Sequence, residues 1–239
     1  MTHPVSHLDS VPTMSTSPAS VPEWLRGCWR RAWIEFADGT RNDTDHVVWL
    51  QTDRTMADVR VIGTRPSFAG VVSFEQCSPE QLTALSTSNA STGFTTVTDL
   101  VDDGGTRQCV AQWFTYGHGA NFQPECAFPE PGLLEISADG SVMIERAPSG
   151  AYTEEWHLVP GSRDVLRHER LGAGRERFTA GPVVVDVRDR TVPMEAGAPF
   201  TAATLDCEFS VALLDTDGTH RIVASTIPWR EGASLDVTA

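Results

Sequence analysis

Three short segments of the chain carry side chains able to do chemistry. In "AYTEEWHL", Ala151 to Leu158, strand alternation puts Tyr152, Glu154, Trp156 and Leu158 on one face and Thr153, Glu155 and His157 on the other. A carboxyl group flanked at i±2 by two aromatic rings on an inward face is desolvated, and its pKa moves up toward the range of a general acid or base. Glu154 is therefore the first candidate catalytic residue. The competing reading has Glu154 bonded to an arginine or a backbone group at a sheet rim.

The second segment, "VVWLQTDRTMADVRV", reads as a hairpin turning at Thr52 to Thr55. That register groups Val47, Trp49, Gln51, Asp58 and Arg60 on one face and Val48, Leu50, Ala57, Val59 and Val61 on the other. The second face is uniformly apolar and demands a core. The first either faces solvent with an Asp58/Arg60 cross-strand pair, or lines a lumen in which Arg60 holds a ligand carboxylate or stabilises an oxyanion.

In the third, "CVAQWFTYGHGANFQPEC", a strand carrying Trp113 breaks at Gly117-His118-Gly119. The break sets Tyr116, His118 and Asn121 together at one end of a sheet, where pocket mouths lie. Histidine titrates near neutral pH, which makes His118 the second candidate for proton transfer, against the plain reading of a loop histidine. With Glu154 it forms the expected acid/base pair. Arg60, Tyr116, Gln51, Asp58, Asn121, Tyr152 and the walls Trp49, Trp113 and Trp156 are the expected substrate contacts.

Other chemistries lack their residues. All 18 basic residues are Arg, so pyridoxal phosphate, Schiff-base and P-loop chemistry, each of which needs a lysine, are excluded. No Gly-x-Gly-x-x-Gly, Gly-x-Ser-x-Gly or His-Glu-x-x-His motif occurs, so no cofactor is expected. The seven histidines (His3, His7, His46, His118, His157, His168 and His220) show no ligand spacing in the part expected to fold, so no metal is expected. Haem on a single axial histidine is compatible with a β-barrel but has no spacing to support it. Five scattered cysteines without a Cys-x-x-Cys pair fit free thiols in a reducing compartment.

The elements that must position these residues are short. Runs rich in Val, Ile, Thr and aromatics, punctuated by Asp-Gly, Gly-Gly and Pro-Gly, predict strands over about 27–37, 46–51, 57–62, 69–75, 92–98, 108–115, 132–137, 141–146, 152–158, 164–171, 175–179, 182–188, 204–213 and 219–226. One helix is predicted, in "SPEQLTAL", with Ser78 as cap, Pro79 at the first helical position and Gln81 closing a capping box. So many strands with so little helix predict an all-β barrel or sandwich. The charged "RHERLGAGRER" reads as a protected sheet edge.

A formal charge of −14 argues against nucleic acid and gives no attraction to anionic lipid, and no apolar run is long enough to span a membrane. Residues 1–21, rich in Ser, Thr and Pro and without a secretion signal, are expected to be a flexible tail on a cytoplasmic protein. A small-molecule ligand is the expected partner, and a homodimer stays open. The segments 46–61 and 175–190 share Asp-Val-Arg, each preceded by a strand containing tryptophan, which suggests two related halves, 22–130 and 131–239.

The triplet Gly27-Cys28-Trp29, entering a long first strand after a short lead-in, resembles the Gly-x-Trp signature of the lipocalin and calycin group. The resemblance implies an antiparallel up-and-down barrel around a ligand cavity, extended or built of two pseudo-repeated half-barrels at this length, with Trp29 closing one end. Together these readings lead to a cofactor-free enzyme that performs cyclisation, isomerisation or elimination on an apolar or aromatic metabolite. The rival readings are a non-catalytic carrier of a hydrophobic ligand, haem included, and a scaffold with a filled core.

Overall fold

The two-faced hairpin at residues 46–61 decides the architecture, because each of its faces has a different covering. In the computed structural model, which describes residues 20–103, 105–125 and 130–237, it is the shared wall between a closed barrel and a second sheet.

The barrel is made of β1 (Gly27–Phe36), β3 (His46–Gln51), β4 (Thr55–Val61), β5 (Asn89–Asp102), β6 (Arg107–Phe114), β7 (Gly132–Ile136), β8 (Val142–Arg146) and β9 (Tyr152–Leu158), with β2 (Arg41–Asn42) paired only to the end of β1. Every neighbouring pair is antiparallel, and β9 returns to β1 to close the ring. Eight strands enclose a lumen that side chains can fill or that can hold one small ligand. Here Trp29, Val47, Trp49, Met56, Cys109, Ala111, Leu134, Ile136, Met143 and Trp156 occupy much of it.

The second sheet is an open half-barrel of β10 (Leu166–Gly172), β11 (Arg175–Ala180), β12 (Val183–Arg188), β13 (Glu208–Leu214), β14 (His220–Ser225) and β15 (Ser234–Leu235). Its apolar face, with Phe178, Ala180, Val183, Val185, Val187, Phe209 and Val211, packs on Val48, Leu50, Ala57, Val59 and Val61 on the outside of the barrel. The hairpins that share Asp-Val-Arg are thus packed against each other. Val59 and Val187 join the common core, while Asp58 and Asp186 point away from it to separate arginines.

Helix is confined to α1 (Pro79–Ser86), α2 (Ala202–Leu205) and single 3-10 turns among the described residues. The cap of α1 has the expected geometry: Ser78 accepts from the Gln81 N–H while the Gln81 side chain accepts from the Ser78 N–H. No helix among the described residues is long and apolar enough to cross a membrane.

Three expectations are corrected. Residues 69–75 form turns and the start of a 3-10 helix, because Gly70 at φ +81° breaks the chain there and Val72 stays exposed. The start of 204–213 is the end of α2, capped by Thr201 and Thr204, and the strand begins at Glu208. The sheets divide between Leu158 and Leu166 rather than near residue 130, because β7 to β9 are needed to close the first barrel. The expected tail falls mostly on residues 1–19, with His3 and His7, outside the described residues, as does Cys126. Cys28, Cys77, Cys109 and Cys207 are free thiols.

One end of the barrel is sealed by Trp29, whose indole N–H donates to the Leu25 carbonyl at 2.8 Å. Arg163 lies over its ring, 5.6 Å from the centroid, and donates to the carbonyls of Trp24, Arg26 and Gly140. Gly27 is required at this seal, since it sits at φ +122° and a Cβ there would come within 2.9 Å of Leu158. The shared inter-sheet core predicts that Phe178→Ala costs about 3–5 kcal/mol of unfolding free energy. Val72→Ala, on the exposed turn, should change it by less than about 0.5 kcal/mol, both read by chemical denaturation.

Candidate functional site

Strand register places the functional groups at the end of the barrel opposite Trp29. On β1 a bulge at Ala32 shifts the pairing with β9, from Arg31 opposite Trp156 to Trp33 opposite Glu155. Simple alternation, which sets Trp33 and Glu35 beside Trp29 and Arg31, therefore fails past that point. Trp29 and Arg31 face the lumen before the bulge and Ile34 after it, while Trp33 turns outward under Arg41. Arg31 is buried where it donates to Glu154 at 2.8 Å and also reaches Asp45 at 3.6 Å.

Glu154 is 1% exposed, on the inward face with Tyr152 and Trp156. Across the β8–β9 ladder it stands directly opposite Glu145, also buried. From β4, Arg60 clasps Asp58 through two contacts of 2.8 and 3.3 Å and reaches Glu154 at 3.3 Å. Its guanidinium is 5.9 Å from the ring centroid of Trp156. The Tyr152 hydroxyl donates to Glu145 at 3.0 Å.

Burial pushes the Glu145 carboxyl up to about 8, with the charge of Glu154 adding to the effect and Arg60 and the Tyr152 hydrogen bond opposing it. The Tyr152 hydroxyl is also pushed up, first by burial and then by Glu145 and Glu154. Burial works against the charge of Arg60, but Asp58 and Glu154 outweigh it and hold the guanidinium protonated. At neutral pH the pocket thus contains one protonated carboxyl beside an arginine-paired one.

The pocket is lined by Trp49, Met56, Asp58, Arg60, Asn89, Ser91, Trp113, Thr115, Tyr116, Glu145, Tyr152 and Trp156. Its cavity volume is about 80 Å³, which is narrow for a ligand site. Trp49 stands edge-on to Trp113 and Trp156, at centroid distances of 5.8 and 6.4 Å. The indole N–H groups of Trp49 and Trp156 and Oε2 of Glu154 are buried without a hydrogen-bond partner, and such groups cost stability until something pairs them.

Of the residues selected from sequence, Trp49, Asp58, Arg60, Trp113, Tyr116, Tyr152 and Trp156 line this pocket, and Glu154 lies behind its wall bonded to Arg60. Three are placed elsewhere. Gln51 lies deeper, bonded to Thr95 Oγ1 at 2.6 Å and to the Thr52 and Thr55 carbonyls. Asn121 ties its own loop together through the Thr115 and Gly119 carbonyls. His118 packs edge-on against Phe94 and Phe114, away from the pocket lining, because the Gly-His-Gly turn folds back beside β5.

Glu145 and Arg31 were missed. The signal for Glu145 was present: Met143 and Glu145 alternate inward in "VMIER", and the Pro-Ser-Gly turn at 148–150 sets Glu145 opposite Glu154. Arg31 shares the face of Trp29 by simple alternation, but nothing local to β1 points to its partner Glu154 on β9. Among the described residues no three His, Cys, Asp or Glu side chains form a metal-binding group.

The position of Glu145 has a thermodynamic consequence. The folded chain keeps this proton between the ordinary value of 4.5 and about 8, so stability falls as pH rises through that window. Glu145→Gln keeps the shape and removes the titration. Against the parent it should be more stable by over ~1 kcal/mol at pH 8 and no more stable at pH 4.5, as read by denaturation at each pH.

No family model matches the chain, and no curated protein matches it in sequence. Among solved structures it is similar to an uncharacterized protein of Saccharomyces cerevisiae, at 12% identity and a TM-score of 0.49, over 89% of this chain and 90% of that one.

Proposed function

We propose that the chain is a calycin-like ligand barrel that carries out proton transfer on a small apolar or aromatic metabolite, as in an isomerisation, elimination or cyclisation. Glu145 is the group that exchanges a proton with the substrate, and Glu154, behind the pocket wall, helps to set its protonation state. The observation that carries this reading is the placement of a buried carboxyl, Glu145, on the wall of an aromatic pocket and directly opposite a second carboxyl held by two arginines, where burial favours its protonated form. General acid catalysis needs a group that is still protonated near neutral pH, within reach of the substrate and shielded from water. Glu145 has these properties, and Tyr152 orients it.

His118 has no part in this reading, since it contacts Phe94 and Phe114 instead of the pocket. Arg60 polarises the site and holds Glu154 in place. Carriage of a large hydrophobic ligand such as haem is less well supported, because tryptophans and methionines fill much of the lumen and no histidine lines the pocket.

Proton transfer can be read without knowing the product. With small aromatic ketones, aldehydes and amines that bind the protein, NMR in deuterated water should show deuterium entering an activated C–H position faster with protein than without. Glu145→Gln should slow that exchange by about 10²–10⁴-fold, and His118→Ala should leave it within about twofold. Unchanged exchange in Glu145→Gln, with folding intact by circular dichroism, would refute the mechanism.

A further inference from the structure

The charges around the pocket do not balance, and the imbalance indicates what the site accepts. The titratable groups facing Glu145 are Asp58 and Arg60 from β4 and Glu154 and Tyr152 from β9; behind Glu154, Arg31 from β1 is shared with Asp45. The residues contributed by β5 and β6, Asn89, Ser91 and Trp113, are uncharged. Three carboxyl groups, Asp58, Glu145 and Glu154, therefore share two guanidinium groups, one of which Asp45 also draws on, so an ionised Glu145 has no cation of its own. An anionic ligand would have to displace Asp58 or Glu154 from Arg60. A cationic one would supply the charge that the cluster lacks.

The walls favour the same ligand sign. Trp49, Trp113, Trp156, Tyr116 and Tyr152 surround the pocket, and the faces of aromatic rings attract cations within about 6 Å of the centroid. Independently, Oε2 of Glu154 and the indole N–H groups of Trp49 and Trp156 are more than nine-tenths buried and without partners. The first lies behind the pocket wall, where it adds negative potential at the site. The indoles, which line the pocket, call for an acceptor atom on the body of the same ligand.

We propose that the pocket takes an organic cation, an amine or quaternary ammonium group on a small aromatic or apolar body, seated among Trp49, Trp113 and Trp156 with Glu145 as its counter-ion. The proposal rests on the reading of this pocket as the small-molecule site and names its ligand class. Binding of a permanently charged cation releases the proton of Glu145 to solvent. A neutral amine instead takes that proton directly, leaving an ammonium and a carboxylate with no net change in charge.

The test is calorimetric titration of the intact protein with benzyltrimethylammonium, benzyl alcohol and benzoate at pH 6, 7 and 8.5. Below the titration of Glu145 the cation should bind about tenfold more tightly for each unit by which the pH rises, releasing close to one proton. At pH 8.5 it should bind at least about tenfold more tightly than either other probe. Glu145→Gln should abolish the pH dependence. Trp113→Leu, which removes an aromatic wall but no charged group, should weaken the cation more than benzyl alcohol at pH 8.5.

Benzoate or benzyl alcohol binding as tightly as the cation at pH 8.5 would overturn the proposal and leave the pocket a ligand site of another class. Failure of all three probes to bind at millimolar concentration would overturn both the cation and the small-molecule reading. Cation binding with the expected pH dependence, but with proton exchange unaffected in Glu145→Gln, would support the ligand class and refute the catalytic role.

Discussion

Glu145 and Glu154 stand directly opposite each other on β8 and β9, inside a barrel and out of water. Like charges in that geometry repel, and each charge alone would lose its hydration, so the pair persists only if cations or a proton compensate it. Arg31 and Arg60 supply two positive charges to Glu154, and Glu145 keeps a proton. Much of the local backbone follows from this requirement. Alternation from Trp29 puts Arg31 inside, and the pairing of β4 with β3 and β5 brings Arg60 within reach of the same carboxylate.

Such a cluster needs a scaffold that does not relax around it. The outer face of β3 and β4 provides one, because it is buried under Phe178, Val185, Val187 and Phe209 of the half-barrel. Asp58 and Arg60 project from the inner face of the same strands. A close-packed core on one side thus fixes the side chains on the other, and repacking between the sheets would be felt at the ion pairs. Arg163 over Trp29 does the equivalent at the other end, away from the pocket that Glu145 lines.

Much of this was legible in the sequence wherever side-chain period and backbone pairing agree. The uniformly apolar set Val48, Leu50, Ala57, Val59 and Val61 could only be a core face, whereas the face of Trp49, Asp58 and Arg60 stayed open between solvent and lumen, because only the half-barrel packed on the apolar side decides it. Ser78, Pro79 and Gln81 specified a local cap with no help from the rest of the fold. Where the chain departs from a strict period of two, legibility ended. The bulge at Ala32 turned Trp33 outward and Ile34 inward, and the turn of His118 back onto Phe94 and Phe114 set a residue whose chemistry alone looked suitable away from the pocket. Glu145 was overlooked for another reason: its significance lies in what faces it across a hairpin, and that pairing has to be counted from the turn.

The narrowness of the pocket follows from the same constraint. A wide, wet calyx would hydrate both carboxyls, return Glu145 toward its ordinary value and leave the arginines with little to hold. Trp49, Trp113 and Trp156 exclude that water, and in doing so they strengthen the arginine pairs on Glu154 and keep the proton on Glu145. Gly132 marks the limit of this packing, since a Cβ there would come within 2.5 Å of the Trp113 ring and 3.0 Å of Glu145 Oε1. The tryptophans that reduce the room for a ligand are therefore the groups that maintain the charge states a ligand would meet. In this barrel, size selection and electrostatic tuning are carried by the same side chains.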